Sequence, residues 1–260
     1  MASLERNAMP QTTSSLRGWI KTAFDLACIV LLVTAAKTAI AEPYYVPSGS
    51  MEPTLLIGDE LLATKYPYGY SAASLPAFLV LPNTTRFFGA LPRRGDVVVF
   101  RWPGDRAQVW VKRVIGLPGD RVALRDGRVS INGEPVGLRS AGSGQAEVED
   151  GSAIPAAQFI ETLPGQREHA IFKLSASNPL DNVPETLVPP DHLFVMGDNR
   201  DNSADSRVKV ADGGVGMLPV DNLVGRVDGI VGSWDLAMTS QPIWHWPSGL
   251  RLSRFFSAVN

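Results

Sequence analysis

Short runs with period-two alternation, separated by turn residues, are the feature that most constrains the fold of this chain. They occupy residues 96–100, 108–115, 121–124, 128–131 and 193–196. In an extended chain successive side chains point to opposite faces, so such runs read as half-buried strands. Asp126-Gly127 and Asn132-Gly133 each follow one of these runs, and both pairs tolerate the positive φ that tight hairpin turns need. Strands joined by tight turns pair antiparallel. The expected fold class is therefore mainly β, with an antiparallel β domain over residues 42–260.

Two stretches break this rhythm. Between about 136 and 190 the alternation fades into Gly, Ser, Ala, Pro and acidic residues around one strand-like run at 170–175. This reads as an inserted, β-containing subdomain with loops at its start. Residues 76–92 instead crowd Phe78, Leu79, Val80, Leu81, Phe87, Phe88 and Leu91 between prolines, an apolar loop suited to a second contact with lipid. At 260 residues the chain can form one large domain carrying such an insertion.

Residues 19–41 are mostly apolar and as a helix would span roughly 34 Å, enough to cross a bilayer. Lys21 and Lys37 lie near the two ends, where they can snorkel, and Asp25 sits one turn from Lys21. The same charges confine the uncharged run to 26–36, and Ala39-Ile40-Ala41 imitates a cleavage site, the pattern of a removable signal peptide. A retained anchor, one N-terminal transmembrane helix, is the expectation. Arg6, Arg17 and Lys21 put the N-terminus, residues 1–18, in the cytoplasm and residues 42–260 on the outer side.

A net charge of -2 offers no basic footprint for nucleic acid. Cys28, the single cysteine, lies in the apolar span, so no intrachain disulfide or multi-cysteine metal site can form. His169, His192 and His245 lack ligand spacing, and no HExxH run occurs. Neither metal nor cofactor is expected.

Chemistry enters at PSGSMEPTL, residues 47–55. Proline restricts the backbone before the serines, and Gly49 lets the main chain approach a ligand. Ser48 and Ser50 project to one face of an extended segment, so one could attack a carbonyl while the other donates to the oxyanion. Such a loop is also an ordinary turn. A serine nucleophile needs a base, and in the run 108–115 Trp110, Lys112 and Val114 share a face. Desolvation there would lower the lysine pKa, whereas a lysine snorkelling from an edge strand would keep it. A drop of roughly two units leaves about a tenth of the amine neutral near pH 7.5. Arginine cannot reach that state. Residues 196–207, MGDNRDNSADSR, are dense in short polar side chains that build self-bonded turns. There Ser203 could accept a hydrogen bond from the lysine amine, and Asp205 could pair with Arg207.

In order and nearly letter for letter, these segments resemble the sequence boxes of bacterial type I signal peptidases. The matching runs are PSGSMEPTL (47–55), GDELLATKY (58–66), RRGDVVVF (93–100), VKRVIGLPGD (111–120), GDNRDNSADSR (197–207), NLVGR (222–226) and WPSGLRLSR (246–254). The resemblance covers most of 42–254 outside the insertion. It implies a signal-peptidase-like β fold, Ser50 as nucleophile and Lys112 as general base. It also implies an oxyanion hole from the Ser50 amide and the Ser48 hydroxyl, with Ser203 orienting the lysine and Asp205 and Arg207 supporting the site. Met51, Leu55 and Trp110 are the candidates for the substrate pocket.

The implied reaction is cleavage of signal peptides from exported preproteins after small residues, at the bacterial inner membrane with the catalytic domain in the periplasm. Preproteins and the lipid bilayer are the implied partners, and translocation machinery is left open. Three departures stand out: a single span where Gram-negative members often carry two, a longer and glycine-richer stretch at 208–218, and Trp110 where tyrosine is expected. Rival readings are a self-cleaving repressor-type Ser-Lys protease, a hydrolase built on His192, and a non-catalytic, membrane-tethered β binding domain. An added DNA-binding helical domain would favour the repressor type; none is visible in the sequence, and the expected membrane span argues against it.

Overall fold

The computed structural model describes residues 13–74, 86–147 and 152–259. Helix α1 (Thr13–Ala39) leads after a single residue into β1 (Ala41–Tyr45), followed by β2 (Asp59–Thr64), β3 (Val97–Trp102) and β4 (Asp105–Gly116). Next come β5 (Arg121–Arg125), β6 (Arg128–Ile131), β7 (Glu134–Pro135), β8 (Gly137–Glu147), β9 (Ala153–Leu163) and β10 (Arg167–Lys173). The chain closes with β11 (Val183–Leu187), β12 (His192–Met196), β13 (Leu218–Pro219), β14 (Leu223–Ser233) and β15 (Ser257–Ala258).

Among the described residues the strands form three sheets. The main sheet runs β1-β2-β14-β3-β4-β12-β13, with β15 on β14; β10-β9-β8 form a second sheet and β11-β5-β6-β7 a third. All strand pairs are antiparallel. The alternating runs become β3, β4, β5, β6 and β12, and the two turn pairs adopt the positive φ they were expected to tolerate: Asp126 50°, Gly127 75°, Asn132 54° and Gly133 85°. Period-two burial divides the core. Val97 and Val99 of β3 face one apolar cluster, while Val98 and Phe100 face another with Val114, Leu193 and Val195.

The inserted region is more regular than its composition suggests. In place of the loops expected at its start, β8 and β9 form a hairpin of two 11-residue strands. Of the strand-like run at 170–175, residues 170–173 fall on β10, which starts earlier at Arg167, and 174–175 lie beyond its end. β8 carries Gly, Ser and Ala with most of its side chains exposed, so no alternation of apolar residues marked it. Backbone pairing to β9, with Ala146 and Ala156 packed against Phe172, holds it instead.

α1 begins within the segment expected to precede the span, and Ala41, the expected last residue of that span, already pairs with Thr64 in the main sheet. Trp19, Phe24, Leu31 and Leu32 of α1 are exposed. Among the described residues no helix is long and apolar enough to cross a membrane; Arg17, Lys21 and Asp25 interrupt the apolar side chains. Of the apolar loop at 76–92, residues 76–85 lie outside the described residues, whereas Phe87, Phe88 and Leu91 are exposed.

Candidate active site

The turn after β1 carries the two serines. Its base is closed by Val46 N–H donating to Asp59 O at 2.9 Å and Gly58 N–H donating to Val46 O at 3.0 Å. Met51 and Leu55 are fully buried in the core with Val46, Leu61 and Val227. Expected at a substrate pocket, these two side chains lie beneath the turn and pack with that cluster. Gly49–Met51 form one 3-10 turn, which leaves Ser50 half-buried and Ser48 exposed with no side-chain capping bond.

Lys112 arrives from β4, opposite Val98 of β3. Its Nζ donates to Ser50 Oγ at 2.8 Å and to Val111 O at 3.1 Å. The residue is only 4% exposed. Burial pushes its amine down to about 8; Asp205 and Asp198 act against that shift, and Arg207 adds to it. The Trp110 ring centroid lies 5.6 Å from Nζ. Trp110 stacks on Trp102 with centroids 5.2 Å apart, and Trp102 Nε1 donates to Gly214 O at 2.8 Å. The indole pair thus forms one wall beside the amine.

The polar loop after β12 forms the third side. A Cβ on Gly197 would overlap the Ser50 carbonyl and Ser203 Oγ, so only glycine lets these two segments meet. Gly197 N–H donates to Asp205 Oδ2 at 3.0 Å, while Arg207 Nε and Nη2 donate to the two Asp205 oxygens at 2.8 Å each. Burial works to raise the Asp205 carboxyl, but the charge and hydrogen bonds of Arg207 hold it below the usual carboxylate range. Ser203 is buried beside the Ser50 carbonyl, yet its Oγ has no hydrogen-bond partner among the described residues. The contact expected between Ser203 and Lys112 is not formed among the described residues, where the amine donates to Ser50 and to the Val111 carbonyl.

Sequence reasoning missed the ion pairs that lock these loops. Arg113, next to Lys112, donates through Nε and Nη2 to the two oxygens of Asp198 at 2.8 Å each, and through Nη1 to Gly95 O at 2.7 Å. Thr54 of the turn that carries Ser50 also donates to Asp198. One buried carboxylate therefore joins three of the sequence boxes. Arg200 pairs in the same two-pronged way with Glu161 of β9. Phe172 of β10 donates its N–H to Asp198 O at 2.9 Å and accepts from Arg200 N–H at 3.0 Å. The available signal was the charge density of 197–207 beside an apolar strand, since charges buried there must be paired. The partners were not readable.

The family described as "Signal peptidase, peptidase S26" matches residues 16–234. A signal peptidase I of Rickettsia typhi is 36% identical over 248 residues, covering 88% of each chain. A second, from Rickettsia akari, is 36% identical over 257 residues, covering 92% of this chain and 91% of its own. A crystal structure of a signal peptidase I from Enterococcus faecalis aligns with 24% identity and a TM-score of 0.32 over 53% of this chain and 97% of that one, too low a likeness to bear on the fold.

Proposed function

The chain belongs to the signal peptidase family, peptidase S26, and from that premise we propose that it is a membrane-bound serine endopeptidase removing signal peptides through a Ser50-Lys112 dyad. The observation that carries the reading is the 2.8 Å contact between Ser50 Oγ and a buried Lys112 amine. Neutral Lys112 takes the Ser50 proton as Oγ bonds to the scissile carbonyl carbon. The developing oxyanion is held by the Ser50 N–H and by the exposed Ser48 hydroxyl. The C–N bond then breaks, the lysine proton passes to the leaving amine, and lysine-activated water releases the acyl group. Ser203, buried and unpartnered beside Ser50, supplies an acceptor that steadies the ammonium once the proton has moved. Trp110 walls the subsite for the small residues preceding the cut.

Cleavage of a purified preprotein, with the cut located by mass spectrometry, tests this reading; a cut elsewhere than after small residues at the first and third positions before the bond would sink it. In the same assay kcat/KM should rise about tenfold per pH unit on the acidic side and level off above about 8, where Lys112 becomes neutral. A profile already flat between about pH 6 and 8 would show that no base with a pKa near 8 governs the reaction, against the protonation state assigned to Lys112.

We further propose that α1 is a retained single-pass anchor with its N-terminus in the cytoplasm. Apolar side chains exposed around the helix and basic residues at its start support that reading. Exposed Phe87, Phe88 and Trp244 add a second contact with lipid. The full chain is expected to stay in membranes after alkaline carbonate extraction with α1 intact. A membrane-isolated chain whose sequence starts at Glu42 would refute the anchor.

A further inference from the structure

The inserted sheet reaches the nucleophile. β8 ends at Glu147, whose N–H donates to Glu52 Oε2 at 2.9 Å. Glu52 lies two residues beyond Ser50 and is 2% exposed. Gly49 is shaped to the same contact, because a Cβ there would stand 2.8 Å from Glu147 O and 3.1 Å from Glu52 Oε2. On its other side this sheet grips the loop after β12, through Phe172 and the Arg200–Glu161 pair. That loop in turn holds the nucleophile turn, since Asn199 donates through its backbone N–H to Ser50 O and through Nδ2 to Gly49 O, both at 3.1 Å. The main sheet delivers Lys112, while β8–β10 brace both segments that set where Ser50 stands.

We propose that Glu52 is a positioning residue that couples the inserted sheet to the nucleophile turn, making the insertion a working part of the active site. This rests on the peptidase reading above. A carboxyl suits the place because burial pushes it up to about 7, with the Glu147 amide and Arg251 acting to lower it and the Glu147 charge to raise it. Near neutral pH much of it is protonated, so glutamine is a close substitute that still accepts the Glu147 N–H. Leucine has similar bulk and accepts nothing.

The test uses the full-length protein in detergent with one preprotein substrate, measuring kcat, KM and hydrogen exchange at the Glu147 amide. Glu52→Gln should keep kcat within about threefold and the amide protected, while Glu52→Leu should lose about tenfold in kcat with little change in KM and lose the protection, the scale set by one buried donor left unpaired. Gly49→Ala keeps the carboxyl but pushes the hairpin end away, and should show the same kcat-selective loss even if Glu52→Leu fails to fold. Wild-type kcat in folded Glu52→Leu, or exchange at Glu147 that neither Glu52→Leu nor Gly49→Ala alters, overturns the coupling. Equal losses in the glutamine and leucine variants overturn it too, because they would trace the effect to charge rather than to the bond. Absence of cleavage by the wild type would strike the peptidase reading instead, leaving the exchange measurement to decide whether Glu52 joins the two elements.

Discussion

Lys112→Met is expected to cleave no preprotein and yet to unfold at a higher temperature than the wild type near neutral pH. The amine is buried and its pKa falls from 10.5 to about 8. At ~1.4 kcal/mol per unit, keeping that group charged costs the folded state about 3 kcal/mol. Because the folded pKa lies below the unfolded one, the penalty is full below about pH 8, shrinks as pH rises, and vanishes above about 10.5, where the amine is neutral in both states. Methionine fills similar space without a charge. The gain should be several degrees at pH 7, at about 2–4 °C per kcal/mol for a chain of this size, and should fade toward pH 10. Thermal scans at both values decide it, and a variant no more stable than wild type at pH 7 would deny the strain on the lysine.

Activity is lost for a separate reason. In the proposed mechanism Ser50→Ala removes the atom that attacks and Lys112→Met the atom that takes the proton, so each should lower kcat by a factor on the order of 10⁴ or more. The double variant should be no worse than either single, since the two groups perform one step. Lys112→Arg must fail equally, because a guanidinium has no neutral form at working pH. Processing by folded Lys112→Arg protein at even a hundredth of the wild-type rate, roughly, would remove Lys112 from the mechanism.

What was legible in the sequence follows the range of the physics involved. Asp126-Gly127 and Asn132-Gly133 announce hairpins because a turn is decided by the residues within it. Ser50 and Lys112 were marked by local pattern and by a family resemblance that the matched relatives bear out. β8 was not legible, since its small exposed residues are held by pairing rather than by a buried face. That Met51 and Leu55 are fully buried was not legible either, since core and pocket alike call for an apolar side chain. The Arg113–Asp198 and Arg200–Glu161 pairs join residues far apart in sequence, and only the packing of the loop after β12 against β4 and β9 selects each partner.

That packing makes Asp198 the position where one substitution should do the most structural damage. Asp198 and Arg113 are each 1% exposed, so Asp198→Ala takes the two-pronged carboxylate acceptor away from a guanidinium in the interior. Breaking a buried pair from one side typically costs about 3–5 kcal/mol. Catalysis should fall with it, because Asp198 adjoins Gly197 against the Ser50 carbonyl and also accepts from Thr54 of the nucleophile turn. Replacing both partners, as in Arg113→Met with Asp198→Leu, removes both buried charges together and should restore much of the stability. Activity should not return, since neither new side chain can bond Thr54 or Gly95. The pair also has a pH signature. Burial acts to raise the Asp198 carboxyl, but Arg113 brings it below the usual range, so its contribution is complete above an unfolded value of about 3.9 and is lost as pH falls through the lower folded one. Urea unfolding at pH 7 should therefore separate wild type from Asp198→Ala by several kcal/mol, and the gap should close in strong acid. A single variant within about 1 kcal/mol of wild type at pH 7 would mean that the loops are held together by something other than this pair.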